Sequence, residues 1–342
     1  MMEFYSDNAM SREAHEKLLD VISTSLERDV LPDQRSLQKA ITSLTSHLPE
    51  QGFGLQNTTR HLLDDIAPGL NASSLSANYY GFVTGGVTPA ARIADNIVSA
   101  YDQNVQVHLP DQTVATDVED RALQMLQEML ELDPAVWTGR TFTTGATASN
   151  VLGLACGREA ALQPPKDADR ESYPIGRRVA YNSDVSEVGI VAACKRAGID
   201  TFKVLSTMPH SSLMKAASLV GIGRAHVTNI GRARNPLKFD LELLLDEARK
   251  RGTANILVVS CGEVNTGCFA TEGHGELQQI RAICDKYNIW IHVDGAFGIF
   301  GRALEQGLGF DAIKSGCEGL ELADSITGDA HKLLNVVSWS QR

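Results

Sequence analysis

From Arg140 onward, short apolar runs alternate with stretches of helical periodicity, and few folds accommodate that alternation. The runs at 179–182, 202–205, 225–229, 256–260, 290–293 and 325–327 read as strands. Between them, 148–162, 185–197, 211–220, 240–251 and 276–287 read as helices, with Asp240 as an N-cap and Gly252 as a stop. Strands separated by helices pair in parallel, because each crossover returns the chain to the same edge. The expected architecture is therefore α/β, a mostly parallel sheet with helices on both faces. Upstream, 90–103 and 116–132 are further helix candidates.

The first 75 residues break this pattern. Ala14, Leu18, Leu19 and Ile22 recur at helical spacing, as do Leu37, Ile41 and Leu44. The segment 1–75 reads as a helical N-terminal arm. Two packings stay open for it, against a partner chain or as a lid on its own subunit.

Bulk properties remove several function classes. The chain has 342 residues, 43% of them apolar, enough for a sizeable core. A formal net charge of −11 and a pI near 5.3 argue against a general nucleic-acid or anionic-membrane partner. No apolar run reaches the roughly 18 residues of a membrane span. The Met1-Met2-Glu3-Phe4 start lacks a basic segment before an apolar core, so no secretory leader is expected. Six cysteines are scattered without CxxC spacing. Free, mostly buried thiols and a cytoplasmic location are the expectation.

Four stretches carry the chemistry. Lys332 follows a small-residue turn in Thr327-Gly328-Asp329-Ala330-His331-Lys332-Leu333. A partly dehydrated lysine forms a Schiff base with an aldehyde. Ile289-Trp290-Ile291-His292-Val293-Asp294-Gly295-Ala296 reads as a buried strand ending in an acid. Asp294 at that end points into the crevice where open α/β sheets bind ligands. Thr143-Thr144-Gly145-Ala146-Thr147-Ala148-Ser149-Asn150 runs into an apolar helix, and its small residues expose backbone N–H groups to a phosphate. His210 in His210-Ser211-Ser212 precedes another helix, where an imidazole can stack on a ring.

In this order the four stretches resemble the group II pyridoxal-phosphate-dependent amino-acid decarboxylases, the family of the aromatic amino acid, glutamate, histidine and tyrosine decarboxylases. The resemblance runs from about Tyr79 to Val336. It implies an aspartate-aminotransferase-like, fold type I large domain over 76–336 and decarboxylation of an L-amino acid to an amine, with specialised metabolism as one setting. It also implies a homodimer with pyridoxal 5'-phosphate as cofactor. Lys332 would carry the cofactor. Asp294 would keep the ring nitrogen protonated, and Ala296 would pack beneath the ring. His210 would stack above it. Gly145, Ala146 and Thr147 would hold the phosphate, and Asp329 and His331 would flank the lysine. Tyr79, Phe82 and Thr88, in the glycine-rich loop 78–89, would line the substrate pocket. The same loop also reads as an ordinary helix start with Pro89 at its first position.

The sequence departs from the family in places. Gly262-Glu263-Val264 stands where relatives often have Gly-Thr-Thr, so Thr266 is the remaining candidate there for a cofactor contact. The family pattern stops near Val336, and 337–342 looks unrelated. A small C-terminal domain with a mobile loop is expected to be absent, with weak catalysis as the consequence. His292, Asp294, Asp329 and His331 could suggest a metal, but His292 and Asp294 are expected on opposite faces of their strand, and no metal site is assigned. Gly221-Ile222-Gly223 lacks the third glycine of a dinucleotide fingerprint, and no P-loop is present. Two alternatives stay open. One is another cofactor-dependent carbon–carbon lyase or aldehyde-forming decarboxylase, and the other is a non-catalytic cofactor-binding homologue.

Overall fold

The computed structural model describes residues 2–25, 29–76, 79, 81, 85–103, 106–163 and 185–337. The expected strand at 179–182 and Phe82 lie outside them. The chain divides into two compact units, residues 1–100 with 331–337, and residues 101–330 with 338–342.

The first unit is helical. It contains α1 (Met2–Ser25), α2 (Gln34–Ser43), α3 (Gly54–Arg60) and most of α4 (Pro89–Tyr101). Asp33 caps α2 by accepting from Ser36 N at 2.8 Å. Such a cap satisfies an amide that the first helical turn leaves without a partner. Residues 331–337 join this unit through Asn335, which accepts from Thr88 N at 2.9 Å and donates through Nδ2 to Gly86 O at 2.7 Å.

The second unit holds α5 (Ala115–Met129), α6 (Ala146–Leu162), α7 (Val185–Val188), α8 (Ile190–Ala197), β1 (Thr201–Ser206), α9 (Ser211–Leu219) and β2 (Val227–Asn229). After these come β3 (Gly231–Arg232), β4 (Asn235–Phe239), α10 (Leu241–Ala248), β5 (Thr253–Ser260), α11 (His274–Tyr287), β6 (Trp290–Asp294), α12 (Asp311–Gly316) and β7 (Ser325–Thr327). The last helix, α13 (Ala330–Leu333), begins here and continues into residues of the first unit.

Among the described residues, five strands form a parallel sheet in the order β2-β1-β5-β6-β7. Alternate residues of its strands face opposite ways, so each face grows its own core. Leu205, Leu257, Val259, Ile291 and Val293 pack with Leu244 of α10 and Leu277, Ile280 and Cys284 of α11. Val204, Ile256 and Val258 pack on the other side with Leu154 of α6, Ala193 of α8 and Leu213 and Ala216 of α9. Each fully buried Leu or Ile contributes about 2 kcal/mol.

Local chemistry explains where the elements depart from the sequence expectation. The helix expected over 185–197 is two helices, because Gly189 adopts φ 77° between them. The strand expected from residue 225 starts at Val227, since Arg224–His226 forms a 3-10 turn. The β3–β4 hairpin was not anticipated. All six cysteines are free, but Cys156 and Cys268 are exposed rather than buried.

Candidate active site

The sheet brings chemistry to its carboxyl edge. Asp294 ends β6, and the register Ser260↔Asp294↔Thr327 aligns the last residues of three strands. Thr207 follows β1 on the same edge. Its buried hydroxyl has no hydrogen-bond partner among the described residues. Buried hydroxyls seldom stay unpaired, so an unpaired one at a ligand-binding edge suits contact with a bound group.

The helix α6 begins beside this edge. Gly145 precedes it with φ 132°, a backbone state open to glycine, and among the described residues no side chain caps the helix. The first-turn amides, including those of Ala146 and Thr147, are therefore available to an anion. Thr143 braces the turn, its Oγ1 lying 2.6 Å from Ser149 Oγ and accepting from Gly145 N at 3.3 Å. Asn150 lies about one turn further along α6. Its Nδ2 donates to Asp294 Oδ2 at 3.1 Å, so the helix start and the strand acid border one space.

Asp294 Oδ1 accepts only a long bond, 3.4 Å, from Ala296 N among the described residues. The carboxylate thus keeps acceptor capacity toward the edge. His210 occupies the N-cap of α9, where its Nδ1 accepts from Ser212 N at 3.2 Å and faces Ser212 Oγ at 2.8 Å. Among the described residues, no hydrogen bond engages its other nitrogen.

His292 and Asp294 lie on the same face of β6, not on opposite faces. Residues two apart in a strand share a side, and both bond Asn150. Their pairing still makes no metal site: among the described residues, no group of three or more His, Cys, Asp or Glu is placed to hold an ion. Burial lowers the His292 pKa to about 4, so the ring is neutral.

Thr266 has a turn role. Its hydroxyl donates to Glu263 Oε2 at 2.9 Å and accepts from Cys268 N at 3.2 Å. Glu263 is buried, which favours its neutral form. Hydrogen bonds from Asn265 and Thr266 outweigh that and hold its carboxyl below the usual carboxylate range. The departure at Glu263 and Val264 therefore builds a self-satisfied turn. Thr88 accepts from Ala91 N at 3.3 Å, which gives it the capping role at the start of α4. Tyr79 is partly buried in the first unit. Asp329 is buried after β7, and His331 and Lys332 follow it in α13.

Sequence reasoning missed Asn150 and Glu263. A lone Asn carries no pattern, yet a polar residue among the apolar and small residues of α6 needs a buried partner. That requirement was the available signal.

Residues 199–339 match the pyridoxal-dependent decarboxylase conserved domain. The chain is 24% identical over 328 residues to an aspartate 1-decarboxylase of Aliivibrio fischeri, covering 91% of this chain and 55% of that protein. It is 29% identical over 255 residues to an L-2,4-diaminobutyrate decarboxylase of Rhizobium meliloti, covering 72% and 41%. The chain thus spans about half the length of the curated relatives it matches. Among solved structures, the glutamate decarboxylase domain of a Vibrio parahaemolyticus diaminobutyrate-pyruvate transaminase and L-2,4-diaminobutyrate decarboxylase superposes with a TM-score of 0.71 at 20% identity. The match covers 96% of this chain and 65% of that one. Over residues 199–339 the chain is thus similar to the pyridoxal-dependent decarboxylases, and it shares their fold, fold type I.

Proposed function

We propose that this protein holds pyridoxal phosphate through Lys332 and decarboxylates an L-amino acid to an amine. The observation that carries this reading is the Asp294 carboxylate, fixed at the carboxyl edge of the sheet one helical turn from the uncapped start of α6. When bound, the cofactor supplies a ring that accepts the electrons left by the broken Cα–carboxylate bond. Asp294 would hold a proton on the ring nitrogen. The amides around Gly145, Ala146 and Thr147 bind the phosphate. His210 and Ala296 are the residues that would contact the ring. Asp329 and His331 orient Lys332, and Thr266 is the residual candidate for a further contact. Tyr79, Phe82 and Thr88 are the substrate-side candidates.

The relatives named above act on aspartate or 2,4-diaminobutyrate, so acidic and basic substrates both belong in the test. Another neighbour in fold is a Rhodiola rosea 4-hydroxyphenylacetaldehyde synthase, with a TM-score of 0.69 at 19% identity. Incubation with pyridoxal phosphate and acidic, basic and aromatic amino acids, with carbon dioxide and amine measured together, decides the reaction. Carbon dioxide with an aldehyde would move the assignment to an aldehyde-forming enzyme, and no carbon dioxide would remove it.

A homodimer belongs to the same proposal. Ile93 and Ile97 lie one turn apart on α4 and are 61% and 54% exposed, and α4 has no buried residue. An apolar helical stripe of that kind is suited to a second copy. Sedimentation of the cofactor-loaded protein as a monomer would refute it. Among the described residues, no helix is long and apolar enough to cross a membrane.

A further inference from the structure

Asn150 is the node of a hydrogen-bond chain whose direction can be worked out proton by proton. Its starting point is Trp290, whose indole N–H only donates. That N–H donates to Ser325 Oγ at 2.8 Å. The Ser325 hydroxyl proton is then free to serve His292 Nδ1, also 2.8 Å away. With Nδ1 accepting from Ser325, the single ring proton of the neutral imidazole sits on Nε2, the arrangement that the Asp294 carboxylate requires at the other end because it can only accept from the Asn150 NH2 group. Nε2 donates to Asn150 Oδ1 at 2.9 Å.

This fixes the Asn150 amide, whose oxygen and nitrogen would otherwise be interchangeable. With its oxygen committed to His292, its NH2 group faces Asp294 Oδ2 at 3.1 Å and Ser212 Oγ at 3.4 Å. Ser212 in turn passes its proton to His210 Nδ1. Every polar atom of the Asn150 side chain is used, in one orientation only.

The surroundings hold the chain in place. Asn150 and His292 are 0% and 1% exposed, so water does not compete for these bonds. A Cβ on Gly153 would overlap the His292 ring, and one on Gly157 would come within 2.9 Å of Trp290. The two glycines, one turn apart on α6, let the helix lie directly on the aromatic side of β6.

We propose that Trp290, Ser325, His292 and Asn150 form a one-way relay that aims the Asp294 carboxylate and, through Ser212, sets the ring orientation of His210. The relay makes Asn150 and His292 positioning residues. Its function at the cofactor rests on the reading given above. Reversal of any link would turn the Asn150 oxygen against the carboxylate, which repels it. The relay therefore transmits an order from Ser325, which touches neither Asp294 nor His210, to two residues assigned to the cofactor.

The test uses Ser325→Ala and Ser325→Thr in the full chain. Long-range proton–nitrogen NMR of the cofactor-free protein reads the His292 tautomer, with the resonance assigned by its loss in His292→Gln. The wild type should carry the proton on Nε2. Ser325→Ala should mix in the Nδ1–H form, and Ser325→Thr, which keeps a hydroxyl, should restore the wild-type signal. With pyridoxal phosphate added, Ser325→Ala should raise the dissociation constant about tenfold, as expected for loss of a charge-assisted hydrogen bond, and Ser325→Thr should recover it. Should Ser325→Ala fail to fold, Trp290→Phe removes the source of direction and is read in the same way. A wild-type proton on Nδ1, or a variant with unchanged tautomer and unchanged dissociation constant, overturns the relay. A wild type with the Nε2 proton that takes up no cofactor supports the relay and overturns the cofactor reading instead.

Discussion

Asn150 and Asp294 are separated by 144 positions in the chain and joined by a 3.1 Å hydrogen bond at the carboxyl edge of the sheet. One residue belongs to a helix that starts with uncapped amides, the other to a strand that ends in an acid. Their contact places a helix start whose amides could meet an anion next to a carboxylate, the pairing that the proposed phosphorylated pyridine would need.

Replacing Asp294 with Asn removes the charge but keeps the shape. The Asn150 amide still finds an oxygen to donate to, so the fold should survive and thermal unfolding should shift little. Decarboxylation should fall on the order of a hundredfold or more, the usual cost of losing a placed electrostatic partner. Turnover equal to the wild type would exclude the assigned role.

Lys332 should be the covalent anchor. Borohydride reduction after loading with pyridoxal phosphate, followed by peptide mapping, should place the adduct on Lys332. Lys332→Ala should yield no adduct. A label on Lys215 or Lys314 in the wild type would contradict the assignment.

His292 makes stability depend on pH in one direction. Burial holds its folded pKa near 4, against about 6.5 when unfolded, and the neighbouring Asp294 opposes that shift only in part. Between those values the unfolded chain binds more protons. The stabilisation is complete above about pH 6.5 and is lost as the pH falls toward 4. Urea midpoints at pH 7 and pH 4.5 should differ more for the wild type than for His292→Gln. Equal differences would show that His292 is not held neutral.

Gly153→Ala should destabilise the protein by about 1–3 kcal/mol, because the new methyl group overlaps the His292 ring in a packed interface. Gly139→Ala is the control, since a Cβ there meets nothing within 4 Å. Equal midpoints for the two variants would mean that α6 does not press on β6 as described.

Arg302→Met should cost about 2–4 kcal/mol. Arg302 is buried and donates to Leu130 O, Glu131 O, Cys317 O and Glu321 Oε2. Methionine keeps the volume but leaves those acceptors without their donor. A loss below about 0.5 kcal/mol in calorimetry, the level of an ordinary surface change, would refute this.

The sheet was legible because its strands are continuous apolar runs. Residues 253–260 show this well, being buried on both faces through most of their length. The β3–β4 hairpin was not, since Gly231–Arg232 and Asn235–Phe239 are short and include Pro236, which weakens any strand signal. At the site, Asp294 and Lys332 stand in local motifs and could be read directly. Asn150 could not, because its meaning lies in a partner far along the chain. The facing of His292 was misjudged although the period of two was available. Glu263 looked like a lost threonine and proved to be the centre of its own turn.

The strand order carries a consequence for how the molecule comes to exist. None of the five parallel strands is joined to its sheet neighbour by a tight turn, and β1 waits for β5, with Val204 meeting Ile256. Loop-closure entropy has to be overcome before any of those pairings gives its return, so folding should be slow for a domain of this size. On a ribosome, β1 emerges well before the strand that completes its second side. Until residue 260 is free, the chain holds an apolar strand with an open edge, and that interval is when it is most exposed to aggregation.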